Sequence, residues 1–111
     1  MARVTISWIK VDHRTIAVRG RPHKRRDGVF KDRRCLIEVS PEISPAQQAD
    51  TLIHEIFHAI WATRGLPDQI TEEECVARLA SGWATVMLDN PHLMNSLGAA
   101  LGGGIPIFEK E

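Results

Sequence analysis

The run Thr51-Leu52-Ile53-His54-Glu55-Ile56-Phe57-His58-Ala59-Ile60-Trp61 reads as the second half of one amphipathic helix. Its start is written upstream in Ser44-Pro45-Ala46-Gln47. Ser44 fits the N-cap, Pro45 the first helical position and Gln47 the capping-box partner. Its end is written in Gly65 followed by Leu66-Pro67. The spacing therefore predicts a helix over 45–64. Residues four apart share a helix face, so His54 and His58 are expected to reach one point in space. Glu55 lies about 100° around from His54 and approaches the same point from the side.

Two neutral imidazoles converging in this way suit a zinc ion, which at catalytic sites takes three protein ligands and keeps one position for water. In the pattern H-E-x-x-H, the glutamate is placed to act on that water and not on the metal. The plainer alternative is a pair of structural histidines. The third ligand has to come from outside the motif. Glu72-Glu73-Glu74 opens the next helical segment and is the nearest source. Val76, Leu79, Ala80, Trp83 and Met87 form its apolar stripe, and extended backward the stripe passes between Glu72 and Glu73. Glu73 is the first choice, then Glu72, then Glu74. The same triplet also complements a helix macrodipole, whatever else it does.

A chain of 111 residues with 43% hydrophobic content supports one domain with a modest core. No run of about 18 apolar residues exists, so no membrane span is expected. Met1-Ala2-Arg3-Val4-Thr5 has no signal-peptide apolar core. The expected location is therefore the cytoplasm. Cys35 and Cys75 match no metal or redox spacing and read as small apolar side chains. The net charge of zero conceals an asymmetry. Residues 1–34 hold eleven Lys and Arg against three Asp, a net of +8, and the remainder stands at −8. Such a split marks either a solvated basic hairpin or a surface for nucleic acid or an acidic partner. Only Phe30 interleaves the basic run, which argues for weak nucleic-acid binding through residues 19–34 at most.

The first third of the chain reads as strands. Val4, Ile6 and Trp8 alternate with Thr5 and Ser7; Thr15–Val18 and Cys35–Val39 follow. Residues 19–34 read as a loop or hairpin tip around Asp27-Gly28. A second helix is expected over about 71–89, starting at Thr71 with Glu74 in the capping-box position and stopping before Asn90-Pro91. Residues 92–100 are a candidate short helix, and Ile105-Pro106-Ile107-Phe108 a candidate for folding back onto the core. The predicted class is α+β in a single domain, 1–111: residues 1–40 β-rich and basic in about three strands, 44–90 the metal-binding helices, 91–111 a C-terminal tail.

The H-E-x-x-H helix followed by a glutamate-bearing helix resembles the gluzincin branch of zincin metallopeptidases, and more narrowly the very small zincin-like proteins of phages and prophages. The likeness covers roughly residues 35–90. It implies His54 and His58 as zinc ligands, Glu55 as general base, Glu73 as the glutamate ligand, and hydrolysis of a peptide or protein substrate. It also implies that the strand at Leu36–Val39 is the edge along which a substrate peptide aligns. A metzincin continuation is excluded, because Trp61 stands where that class needs glycine and Arg64 where it needs histidine. The chain lacks the N-E-x-x-S-D signature of larger gluzincins and contains no tyrosine, leaving His92, Arg64, His13 and His23 as oxyanion candidates. Two rival classes are a non-catalytic metal-binding module and a SprT-like, nucleic-acid-associated protease whose third ligand would be His92.

Overall fold

A computed structural model of the chain describes residues 6–110. Its central element is α1 (Pro45–Arg64), with both capping-box bonds formed. The Ser44 hydroxyl accepts from the Gln47 backbone N–H at 3.2 Å, and the Gln47 side chain accepts from Ser44 N–H at 3.0 Å. Pro45 fills the position where a backbone donor has no helical partner. Gly65, at φ 62°, closes the C-terminus in the left-handed conformation that glycine adopts without steric cost.

α1 packs on a four-stranded sheet of β1 (Trp8–Val11), β2 (Arg14–Gly20), β3 (Gly28–Lys31) and β4 (Leu36–Val39) in the order β1-β2-β4-β3. The β1–β2 and β3–β4 pairs are antiparallel, while β2 and β4 run parallel. One face carries Ile9, Val11, Ile16, Val18, Ile37 and Val39, all buried. That face meets Ala49, Leu52, Ile56, Ala59 and Ile60 of α1 in the main core. α2 (Glu72–Asp89) and α3 (Pro91–Gly103) complete it with Val86, Leu93, Leu97 and Ala100.

Two buried amides fasten the layers. Asn90, at the α2–α3 junction, accepts from Lys10 N–H at 2.8 Å and donates to Lys10 C=O at 2.7 Å, tying β1 to the helices. Gln48, 1% exposed, accepts from the Ile107 and Phe108 N–H groups at 2.8 and 2.9 Å. Its amide nitrogen donates to Phe108 C=O at 3.0 Å. Ile107 and Phe108 are thereby held in the core, and the expected fold-back of this segment is present, although Ile105 stays exposed.

The α+β class is as expected, with three differences in detail. The sheet has four strands, because residues 19–34 contain the end of β2 and the whole of β3. Pairing with β4 makes β3 a strand, whereas its short basic surroundings read locally as loop. The inward alternation in β1 is carried by Ile9 and Val11, and Trp8 points outward at 49% exposure. Ser7 and Trp8 are consecutive exposed residues, so the alternation slips by one after Ile6; Val4 and Thr5 lie outside the described residues. The region 91–111 is mostly α3, longer than the expected 92–100, because Pro91 starts it and Gly104 at φ 67° ends it. α2 starts where expected, with Thr71 as its N-cap, whose hydroxyl accepts from Glu74 N–H at 3.2 Å.

Candidate metal centre

His54 and His58 lie on the exposed face of α1 with their Nε2 atoms 3.2 Å apart. Two nitrogens bound to one tetrahedral zinc at about 2.0–2.1 Å stand about 3.3 Å apart, so this pair fits two ligand positions. Without a metal, the same approach is a hydrogen bond from one ring to the other. Glu55 is 7% exposed and turns toward the sheet. A Cβ added to Gly28 of β3 would sit 2.6 Å from the Thr51 methyl and 3.5 Å from Glu55 Cγ. The missing side chain at position 28 is what lets α1 approach β3 closely enough to set Glu55 against the strand.

A cleft of about 530 Å³ runs between α1 and β3, lined by His54, Glu55, His58, Trp61 and Ala62 on one side and by Arg26, Gly28, Val29, Phe30 and Asp32 on the other. Three consecutive strand residues border one cavity, so the cavity faces the edge of β3 and not one of its faces. A second hollow, of about 470 Å³, lies on the other side of the histidines between Phe57, Trp61 and Leu79. The ring of Phe57 meets Trp83 of α2 at 5.6 Å, which joins the two helices beneath it.

The edge role moves from its expected position. β4, over Leu36–Val39, is interior, flanked by β2 and β3. The open edge beside the motif is β3, which the sequence presented as basic loop. Its glycine, Gly28, was legible only as a turn signal. The four oxyanion candidates lie elsewhere. Arg64 donates to both carboxylate oxygens of Asp12 (3.0 and 3.1 Å), pinning the β1–β2 turn to the end of α1. The His92 ring packs against Trp8 at a tilt of 51°, with ring centroids 5.7 Å apart. His23 stands 3.5 Å from Glu38. His13 is exposed in the β1–β2 turn. The basic residue that does line the cleft is Arg26, a position outside those candidates.

The third ligand is the incomplete part. Among the described residues, no group of three His, Cys, Asp or Glu side chains is gathered as a metal would require. Glu72, Glu73 and Glu74 are all exposed in the first turn of α2. The apolar stripe of α2 also differs from the expected one. Val76 and Met87 are exposed at 57% and 40%. The helix instead turns Cys75, Leu79, Gly82, Trp83 and Val86 inward. Gly82 is the reason: a Cβ there would meet the Ile60 side chain at 2.4 Å, so α2 comes closest to α1 at a residue with no side chain. Extended back one turn, this stripe reaches Glu72 within about 40° and leaves Glu73 about 135° away.

The basic segment has an internal counter-ion. Glu38 is fully buried, with Oε2 2.7 Å from the Arg19 guanidinium and Oε1 3.1 Å from Lys31 Nζ. Arg21 and His23 complete the ring at 3.6 and 3.5 Å. Burial disfavours the carboxylate, but the Arg19 and Lys31 hydrogen bonds outweigh it and hold the Glu38 carboxyl below its ordinary value. Arg14 is engaged in the same way by Asp32 at 2.8 Å.

Comparison with protein-family models, with curated proteins and with solved structures finds no match to this chain. No described helix is long and apolar enough to cross a membrane.

Proposed function

We propose that this protein is a small zinc-dependent peptidase of gluzincin type, acting on an extended segment of polypeptide. The observation that carries the reading is the convergence of His54 and His58 Nε2 at 3.2 Å beside buried Glu55, on the wall of a cleft bounded by an open strand edge. His54 and His58 would hold the zinc, with Glu72 the first choice for the third ligand and Glu73 the second. Zinc held there would supply a water of near-neutral acidity and polarise the scissile carbonyl. Glu55 would serve as the general base, holding a proton at its carboxylate and passing it to the leaving amide nitrogen. The β3 edge orients the substrate backbone, since unpaired strand groups accept an added strand. Among the described residues Arg26 is the one cation lining the cleft, and it is the group available to a developing negative charge.

A second reading, a zinc-binding module without catalysis, is favoured by one observation: none of His92, Arg64, His13 or His23 lines the cleft. The SprT-like alternative needs His92 as a ligand, and its ring is engaged with Trp8.

The test is zinc content per chain together with hydrolysis of an unstructured protein substrate. Wild type is expected to hold about one zinc. His54→Ala should lose it, and Glu55→Gln should keep it while hydrolysis falls by at least roughly two orders of magnitude. Zinc loss in Glu72→Ala but not Glu73→Ala assigns the third ligand. Full zinc content in His54→Ala defeats the metal reading. Zinc-loaded wild type without hydrolysis leaves the module.

A further inference from the structure

The charges of the basic segment divide into two sets. Arg19, Arg21, His23 and Lys31 surround Glu38, and Arg14 is paired with Asp32. Lys24, Arg25, Arg26, Arg33 and Arg34 are exposed, and among the described residues they form no ion pair. These five are not scattered. Lys24, Arg25 and Arg26 lie in the loop that enters β3, and Arg33 and Arg34 lie in the turn that leaves it. Arg26 and Asp32, one from each end, line the cleft itself. Arg26 makes one end of the cleft cationic; at the other end Asp32 is paired with Arg14, and the exposed Arg33 and Arg34 follow it in the turn.

Between the ends the apolar part of the lining is Val29, Phe30, Trp61 and Ala62, beside the motif residues His54, Glu55 and His58. The strand edge is also oriented for pairing. Asp27 C=O accepts from Ser40 N–H at 2.7 Å, so it faces β4. By the alternation of an antiparallel ladder, Val29 and Lys31 also face β4, and the backbone groups of Gly28 and Phe30 face the cleft. Four strand residues span about 13 Å.

We propose that this cleft selects extended polypeptide segments in which acidic residues flank an apolar core of about four residues. The inference rests on the peptide-cleft reading above. A polypeptide fits better than nucleic acid, because the free charges bracket backbone donors and acceptors at strand spacing and Phe30, the only aromatic residue in the basic run, is half-buried against the core. Exposed ion pairs each shift a dissociation constant by roughly one- to fivefold. Three or four of them acting together give about tenfold or more, weakening with salt.

The test uses full-length Glu55→Gln and fluorescence anisotropy with three ten-residue peptides sharing an apolar centre, flanked by Glu, by Gln or by Lys. A single-stranded oligonucleotide of equal length is the fourth probe. The Glu peptide should bind about tenfold tighter than the Gln peptide and more tightly still than the Lys peptide. Lys24→Gln/Arg25→Gln/Arg26→Gln and Arg33→Gln/Arg34→Gln should each remove several-fold of that preference, and Lys110→Gln, which borders a different hollow, should remove none. Equal binding of the Glu and Gln peptides overturns the inference. So does an oligonucleotide that binds more tightly than the Glu peptide and displaces it. Wild type settles the two readings separately. Hydrolysis indifferent to flanking charge defeats the selectivity and leaves the peptidase standing. Preferential binding of the Glu peptide without hydrolysis by zinc-loaded wild type upholds the selectivity and defeats the peptidase.

Discussion

Replacing Gln48 by Leu tests whether the chain's last segment is part of the core or merely rests on it. The two side chains are similar in size, so the change removes hydrogen bonds with little change in volume. If the segment stays docked, Ile107 N–H, Phe108 N–H and Phe108 C=O lose their partner in a buried setting. Each orphaned group costs about 1–3 kcal/mol, so the three together cost at least about 3 kcal/mol. If the segment lifts instead, Ile107 and Phe108, now 4% and 6% exposed, enter water. Losing two such side chains from the core costs about 3–6 kcal/mol. Either route gives about 3 kcal/mol, a large fraction of the roughly 5–15 kcal/mol that holds a domain together. Urea denaturation should show the midpoint falling by that equivalent. Hydrogen exchange at the Ile107 and Phe108 amides distinguishes the routes, and a reduced denaturant slope accompanies lifting. A loss below about 1 kcal/mol would refute the reasoning, because it would mean that these amides find water or another acceptor without difficulty.

Gly28→Ala puts a methyl group against Thr51 and the Glu38 carbonyl; it should destabilise by about 1–3 kcal/mol in urea. If the peptidase reading holds, it should also cut hydrolysis by about a hundredfold with zinc retained, because Glu55 shifts from its position. Glu38→Gln should lower stability at neutral pH. The Glu38 carboxyl is held below its ordinary value in the folded state. Its contribution is therefore complete above the unfolded-state value and lost as pH falls through the folded one. Urea midpoints taken from pH 7 to pH 3 should fall less steeply in the variant than in wild type. Gly82→Val should force α2 off Ile60 and lower the thermal midpoint, with Phe57 and Trp83 moving apart; an unchanged tryptophan emission spectrum and midpoint would argue against the close approach.

What the sequence made legible was set by local chemistry. α1 could be bounded to the residue because its ends are written in Ser44, Pro45, Gln47 and Gly65, each acting on its own neighbours. The pairing of His54 with His58 needed only the helical period. β3 was hidden because its four residues hold one aromatic and one branched apolar side chain among cations, and only the β4 partner makes them a strand. The α2 stripe was misjudged for a related reason. Periodicity weighs bulky side chains such as Val76 and Met87, whereas the closest helix contact is at Gly82, which contributes no side chain to the pattern. The choice between Glu72 and Glu73 turns on that single rotation. Gln48 carried no signal, since a buried amide and a solvated one are written identically.

The Gln48 clamp also sets when the domain can close during synthesis. Its partners in the last segment lie 59 and 60 residues downstream. At about 5–20 residues per second, a ribosome takes roughly 3–12 s to deliver them after Gln48 has been made. Throughout that interval α1 can form on its caps, but the floor between Gln48 and Gly20, where Phe108 belongs, stays open. The nascent chain therefore passes through a stage with its motif helix built and its core unsealed, and sealing comes only when residue 108 has cleared the exit tunnel.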